Sequence, residues 1–245
     1  MITGYTMLHY GCDFLAYALR SLVDYVDKHV IIYSPTPTFG AQTALPCPDS
    51  RDSLRAIANS VLGKKLVWIE GVRQNYESVM RALPATRLIL ETDADEIWSP
   101  SLVASAIRSW RIANLAPGRY RMPMQHHWRS FGYVCRDASW PVRMYVAPGI
   151  GQSDTATRMW SGPGDSIAHF GYARALPDMR YKIETSAHCG EWRAGWWDDV
   201  FLKFPERLTD LHPVVKDLWN AELYDKTCLP AFMRDHPWYD AEVVA

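Results

Sequence analysis

The chain has 245 residues, 48% of them apolar and 22% charged, ordinary globular usage at a length that buries a core without disulfide or metal staples. A net charge of −1 gives no sign of a surface built for a polyanion, although a local basic patch stays open. Cys12, Cys47, Cys135, Cys189 and Cys228 are odd in number and contain no Cys-x-x-Cys, which argues against a disulfide framework or a structural zinc site and for a reducing compartment.

In chain order, Ile2 to Tyr10 is rich in β-formers and predicts a first strand. Asp13 is placed to cap a helix in which Phe14, Leu15, Ala18, Leu22, Tyr25 and Val26 recur at helical spacing. Val30 to Tyr33 predicts a short buried strand, and Ser34 to Pro48 a loop punctuated by Pro35, Pro37, Pro46 and Pro48. A helix over Asp52–Leu62 stops at Gly63, a strand covers Leu66–Ile69, a short helix covers Tyr76–Leu83, and Leu88 opens a fourth strand. Strands alternating with helices predict an α/β fold, with a parallel, helix-covered sheet and right-handed crossovers. Ligands of such sheets bind beyond the carboxyl ends of the strands.

The fourth strand changes from apolar to acidic within one run, Leu88-Ile89-Leu90-Glu91-Thr92-Asp93-Ala94-Asp95-Glu96-Ile97. Strand geometry carried through this run points Asp93 and Asp95 to one face, about 7 Å apart, with Glu96 on the other. Two carboxylates on one face repel, and a hard divalent ion such as Mg2+ or Mn2+ relieves them, completed by phosphate and water oxygens. Removal of one of them from the metal-free protein would then leave stability unchanged or slightly higher. The plainer alternative is a solvated acidic turn. Ser99-Pro100 stops the strand and starts a helix from about Ser101 to Ala113.

Beyond it, Tyr120–Trp128 and Pro141–Val146 read as strands broken by prolines, and Gly149–Gly164 as a polar loop. Ile167–Tyr172 is a further short strand, and Met179–His188 a helix with Met179, Ile183 and Ala187 on one side. The tail, with Trp192, Trp196, Trp197, Trp219 and Trp238, is aromatic and irregular, read as a cover over the second half of the sheet. No repeat stands out, no apolar run reaches the length of a membrane span, and the N-terminus has no charged-then-apolar leader pattern, so the expectation is a cytoplasmic protein. The Gly-x-Gly-x-x-Gly, Gly-x-x-x-x-Gly-Lys-Ser/Thr and Gly-x-Ser-x-Gly motifs are missing. Dinucleotide oxidoreductases, P-loop ATPases and α/β-hydrolases therefore have little support.

Several stretches in order resemble one family. Cys12-Asp13-Phe14-Leu15, Leu19-Arg20, Val26-Asp27-Lys28-His29-Val30-Ile31, Thr38-Phe39-Gly40, Asp93-Ala94-Asp95-Glu96-Ile97 and Ala168-His169-Phe170-Gly171-Tyr172, followed by Lys182-Ile183 and Ser186-Ala187-His188, carry the likeness. They resemble the inverting GT-A glycosyltransferases related to the bisecting β-mannosyl-glycoprotein N-acetylglucosaminyltransferase and its bacterial and viral relatives. Cys12 and Tyr33 stand where that family usually has acidic residues, a departure that bears on the donor more than on the fold.

The resemblance implies one GT-A-like domain over residues 1–245, a Rossmann-like sheet with a mixed C-terminal half. Residues 1–100 would be the nucleotide-sugar side and 101–245 the acceptor side. It implies transfer of N-acetylglucosamine or a hexose, with inversion, from a nucleotide diphosphate donor, UDP by expectation. Asp95 would be the main ligand of Mn2+ or Mg2+, Asp93 would contact the donor ribose or the metal, and His169 would be a further ligand. Thr6, Met7 and Asp13 fall where this fold places the nucleotide. The ion would offset charge on the departing diphosphate. Inverting transfer also requires a general base for the acceptor hydroxyl, with Asp165 and then Glu191 as candidates. His126, His127 and His188 are weaker candidates for substrate contact, and each histidine also has an ordinary core or surface reading. The acceptor is open among glycans, glycoproteins, lipids and hydroxymethylated DNA bases. Two rivals remain: a Mg2+-dependent phosphohydrolase, whose Asp-x-Asp usually ends the first strand, and a non-catalytic nucleotide- or sugar-binding protein.

Overall fold

The structure, a computed structural model, describes residues 1–37, 41–71, 79, 82–112, 115–136, 140–147 and 156–244. Thr38-Phe39-Gly40, most of the expected Tyr76–Leu83 helix and the first part of the expected Gly149–Gly164 loop lie outside the described residues. The chain gathers into two compact units. The first takes Met1–Pro35, Asp49–Met124 and Ser139–Ile167; the second takes Thr36–Pro48, Gln125–Ala138 and Ala168–Ala245.

The first unit is built on β1 (Ile2–Leu8), α1 (Cys12–Leu22), β2 (Lys28–Tyr33), α2 (Arg51–Leu62), β3 (Leu66–Glu70), β4 (Leu88–Glu91), β5 (Glu96–Trp98), α3 (Pro100–Ile112) and β6 (Gly118–Arg121). The strand β7 (Met124–Trp128) then leads into the second unit, whose next strand is β8 (Tyr133–Arg136); β9 (Val142–Val146) and β10 (Thr157–Met159) return to the first. Seven strands lie in the order β10-β6-β9-β4-β1-β2-β3. Every adjacent pair is parallel except the two made by β9, which runs against β4 and β6. This is the mostly parallel, Rossmann-like α/β sheet that the alternating pattern predicts. β1 sits inside it, with β2 and β3 on one side and β4 on the other.

Both faces of the sheet are covered, as parallel sheets require. On one face Leu8 and Ile31 pack with Leu15 and Leu19 of α1 and Leu54, Ala58 and Leu62 of α2. Ile2, Leu88, Leu90, Met144 and Val146 pack with Leu102, Val103, Ala106 and Ile107 of α3. On the other face Tyr5, Val30, Ile32, Ile89 and Tyr145 form a core with Val79. The helix ends follow local chemistry. Ser50 caps α2 by accepting from the Ser53 N–H (3.1 Å), and Gly63 ends it at φ 49°. The Leu102 N–H donates to Ser99 Oγ (3.2 Å), so Ser99-Pro100 opens α3 as expected.

Some boundaries differ from the reading of the sequence. β1 stops at Leu8, two residues short of Tyr10. Pro123 divides the expected Tyr120–Trp128 strand into β6 and β7. The helix expected over Met179–His188 is α4 (Leu176–Thr185), started earlier by Pro177 in its first turn. Asp13 is not the cap of α1. It lies in the first turn, and Asp49 instead accepts from the N–H groups of Gly11 (2.6 Å) and Cys12 (2.9 Å).

The second unit holds β8, β11 (Ile167–Tyr172), α4, the short α5 (Trp196–Asp199) and β12 (Ala221–Leu223). Its strands lie side by side as β12-β8-β7-β11. Trp128, Met179, Trp196, Phe201, Phe204, Leu211 and Trp219 form its core. The tail is irregular but fixed: Arg129, at φ 53°, donates from its guanidinium to the Val244 carbonyl (3.0 Å) and accepts from the Val244 N–H (2.7 Å). Among the described residues no helix is long and apolar enough to cross a membrane.

Candidate active site

The sheet order fixes where a ligand would go. From β1 the chain turns one way to β2 and β3, while β4 lies on the opposite side. The junction of β1 and β4 is therefore the switch point of the strand order, and ligands of such sheets bind beyond the carboxyl ends of the strands there. The acidic run leaves β4 there, tied to β1 by the Thr92 N–H on the Tyr5 carbonyl (2.9 Å).

The run does not continue as a strand. β4 ends at Glu91, residues Ala94 and Asp95 form a turn, and β5 begins at Glu96. The same-face geometry expected for Asp93 and Asp95 is thus replaced by a turn. Thr92 Oγ1 closes it by donating to the Glu96 carbonyl (2.8 Å), and the Asp93 N–H donates to Glu96 Oε2 (3.0 Å). Glu96, expected on the other face, is aimed at the same cation as Asp93.

That cation is Arg143. The antiparallel register pairs Ile89 with Tyr145 and Leu90 with Met144, and one further step sets Glu91 opposite Arg143. The guanidinium donates to Glu96 through Nε and Nη2, each at 2.6 Å, and through Nη2 to Asp93 Oδ2, also at 2.6 Å. Nη1 lies 3.4 Å from Glu91 Oε1, and the Tyr145 hydroxyl donates to Glu91 Oε2. Glu96 is 1% exposed. Burial pushes its carboxyl up, the Arg143 guanidinium opposes that push, and the Asp93 charge adds to it. Asp93, Glu96 and Glu91 hold Arg143 charged well above the ordinary arginine range, against the cost of its burial. Sequence reading missed Arg143. The signal was one cation inside the apolar run Val142-Arg143-Met144-Tyr145-Val146, because a charge in a buried strand requires a partner.

The other predicted residues separate into two groups. In the first unit, Thr6 is fully buried and its hydroxyl is hydrogen-bonded to His29 Nε2 (2.9 Å). Met7 is half-buried against the core around Tyr5 and Ile89. Asp95 is 5% exposed, whereas the Asp93 side chain is 41% exposed. Asp165 is exposed and accepts from the Ser101 hydroxyl (2.6 Å) at the start of α3.

In the second unit, His169 Nδ1 lies 2.7 Å from His126 Nδ1, a hydrogen bond in which one ring donates and the other accepts. His126 stacks on Trp219 (4.6 Å between ring centres). A Cβ on Gly171 would come 2.4 Å from His169 Nε2 and 2.5 Å from Lys182 Nζ, so the glycine is what allows those side chains over β11. His127 is fully buried and stacked on Phe170 (4.3 Å), and burial pushes its imidazole down to about 3. Glu191 is exposed and paired with His188 (2.9 Å).

Hard oxygen donors suit Mg2+ or Mn2+, and such ions take only one or two carboxylates when phosphates complete the shell. Asp93 fits that role: it is accessible, and its carboxylate already faces a cation, the guanidinium. Among the described residues, no three His, Cys, Asp or Glu side chains stand together to hold an ion by themselves. The substrate would have to supply the remaining ligands.

No protein-family model matches the chain, and no curated protein matches it. Among solved structures it is similar to the inositol-1-phosphate CTP transferase from T. maritima, at TM-score 0.39 and 9% identity, over 69% of this chain and 88% of that one. It is also similar to glucosyl-3-phosphoglycerate synthase from Mycobacterium tuberculosis in complex with Mg2+ and UDP, at TM-score 0.31 and 19% identity. That likeness covers 53% of this chain and spans 44% of the synthase. At these scores nothing is carried over from them, and the fold class rests on the strand order of the chain itself.

Proposed function

We propose that this chain is a metal-dependent glycosyltransferase that moves a sugar, N-acetylglucosamine or a hexose, from a nucleotide diphosphate donor to an acceptor hydroxyl with inversion. The observation that carries the reading is the acidic turn at the carboxyl end of β4, beside β1 at the switch point of a mostly parallel sheet. The resemblance to the GT-A family adds the reaction class and UDP as the donor's nucleotide. The phosphohydrolase reading is weaker, because the end of β1 carries Leu8-His9-Tyr10 in place of paired aspartates.

In this reading Asp93 and Asp95 would hold Mn2+ or Mg2+. The bound ion supplies a Lewis acid for the departing diphosphate. The protein's own tasks are to orient the donor and to take a proton. Met7 and Asp13 flank the end of β1, where the nucleotide would lie. Asp165, exposed and steadied by the Ser101 hydroxyl, takes the proton from the acceptor hydroxyl; Glu191 is the alternative. The two units act as one transferase domain, and the acceptor is a glycan or a hydroxymethylated base in DNA.

Measurement of UDP release from UDP-sugars tests the assignment of the base. Asp165→Asn should lower turnover by about 100-fold or more, the scale of general-base catalysis. Glu191→Gln should leave it within a few-fold. The opposite ranking moves the base to Glu191, and absence of turnover with every donor in the wild type removes the transferase reading.

A further inference from the structure

We propose that Arg143 is the positioning residue of the acidic turn. It holds the Asp93 carboxylate in place before an ion arrives and competes with the ion for that carboxylate. The inference rests on the metal role proposed above for Asp93. It starts from an asymmetry among the contacts of the guanidinium. Two of them, Nε and Nη2 to Glu96 at 2.6 Å, go to a carboxylate that is 1% exposed. On the far side Nη1 meets Glu91, which the Tyr145 hydroxyl also holds. These contacts anchor the guanidinium inside the protein. The contact from Nη2 to Asp93 Oδ2 is the one directed at a side chain with substantial exposure.

The same Glu96 carboxylate accepts the backbone N–H of Asp93. Arg143, Glu96 and the backbone of the turn are therefore one assembly, and the Asp93 carboxylate is its most exposed member. A divalent ion entering at Asp93 meets a positive charge that cannot retreat, because both of its flanks are pinned by carboxylates. The ion must draw Asp93 away from Nη2 or share it. The fixed charge lowers the affinity for the ion alone. A diphosphate that arrives with the ion brings negative charge against the same guanidinium and offsets that repulsion. The site thus favours the nucleotide-bound ion over the free ion.

The test is Mn2+ binding to the full chain without nucleotide, followed by calorimetry, with melting curves to confirm folding. Arg143→Gln should bind Mn2+ about 10-fold more tightly than wild type, because the competing charge is removed. Arg143→Lys keeps the charge but loses the two-pronged hold, and should bind about 3-fold more tightly. The gain should vanish when Asp93→Asn is added to either variant. Either folded variant suffices. Unchanged or weaker Mn2+ binding in a folded variant, with only a lowered melting temperature, reduces Arg143 to a structural role and overturns the proposal. A parallel titration with UDP separates this failure from that of the parent reading. Wild type that binds Mn2+ but shows no coupling to UDP defeats the transferase and leaves the competition intact. Absence of Mn2+ binding in wild type and in both folded Arg143 variants, with and without UDP, defeats both.

Discussion

At the scale of single residues, the acidic turn is governed by its cation. Paired carboxylates imply a counter-charge, and the run Glu91–Glu96 was legible as a charge problem from the sequence. Its solution was not. Arg143 lies 50 residues from Asp93 in sequence, and only the register of β4 against β9 brings the two together. This changes an expectation about stability. Repulsion between Asp93 and Asp95 would make Asp95→Ala neutral or stabilising, but the guanidinium already offsets the acidic charge, and Asp95 is buried with contacts of its own. Asp95→Ala should therefore abolish transfer at saturating donor and also lower stability, by roughly 1–3 kcal/mol, the scale for loss of a buried polar partner. Urea denaturation and donor turnover on one sample check both parts. Retained turnover would remove Asp95 from the site, and unchanged stability would restore the repulsion account.

At the scale of elements, the strand–helix alternation through β3 was readable because each segment carries its own period and its own stop, such as Gly63 after α2. The three-residue strands β5, β10 and β12 were not, since three residues carry no period. Nor was the packing between β1 and β2. Gly4 pairs with His29 in the parallel register, and a Cβ on Gly4 would come 2.3 Å from His29 Nδ1. The imidazole lies across Gly4 and reaches the Thr6 hydroxyl, so His29, Gly4 and Thr6 pack as one group. Gly4→Ala should cost about 1–3 kcal/mol through overpacking. Gly4→Ala combined with His29→Ala should cost clearly less than the sum of the two single changes, because the clash disappears with the ring. Additive costs in a double-mutant cycle would show that His29 does not occupy that space.

At the scale of the whole molecule, each unit contains a fully buried histidine held neutral by that burial. His29 in the first and His127 in the second are both pushed from 6.5 down to about 3 by burial. Above pH 6.5 these rings are neutral whether the chain is folded or not. Between 6.5 and about 3 the unfolded chain takes up protons that the folded chain refuses, so stability is lost as pH falls. The slope is about 1.4 kcal/mol per pH unit for each histidine, or roughly 2 kcal/mol each at pH 5. Denaturant titrations at pH 7.5 and 5.0 should show this loss, and His29→Gln should lessen it. Equal slopes in variant and wild type would place the acid sensitivity elsewhere.

The central claim, a switch-point site that binds a nucleotide diphosphate and a divalent ion together, is tested most directly by thermal melting with Mn2+ and a panel of UDP, GDP, CDP, ADP and dTDP, singly and in pairs. A ligand at about 100 times its dissociation constant adds roughly 2.7 kcal/mol, and each kcal/mol moves the melting temperature of a chain this long by roughly 2–4 °C. Mn2+ alone should give little, because the turn supplies few ligands and Arg143 opposes the ion. Mn2+ with UDP should raise the melting temperature by about 5–10 °C, well beyond the sum of the separate shifts, and Asp93→Asn should erase that excess. If no nucleotide gives a Mn2+-dependent shift, the account of this site is contradicted.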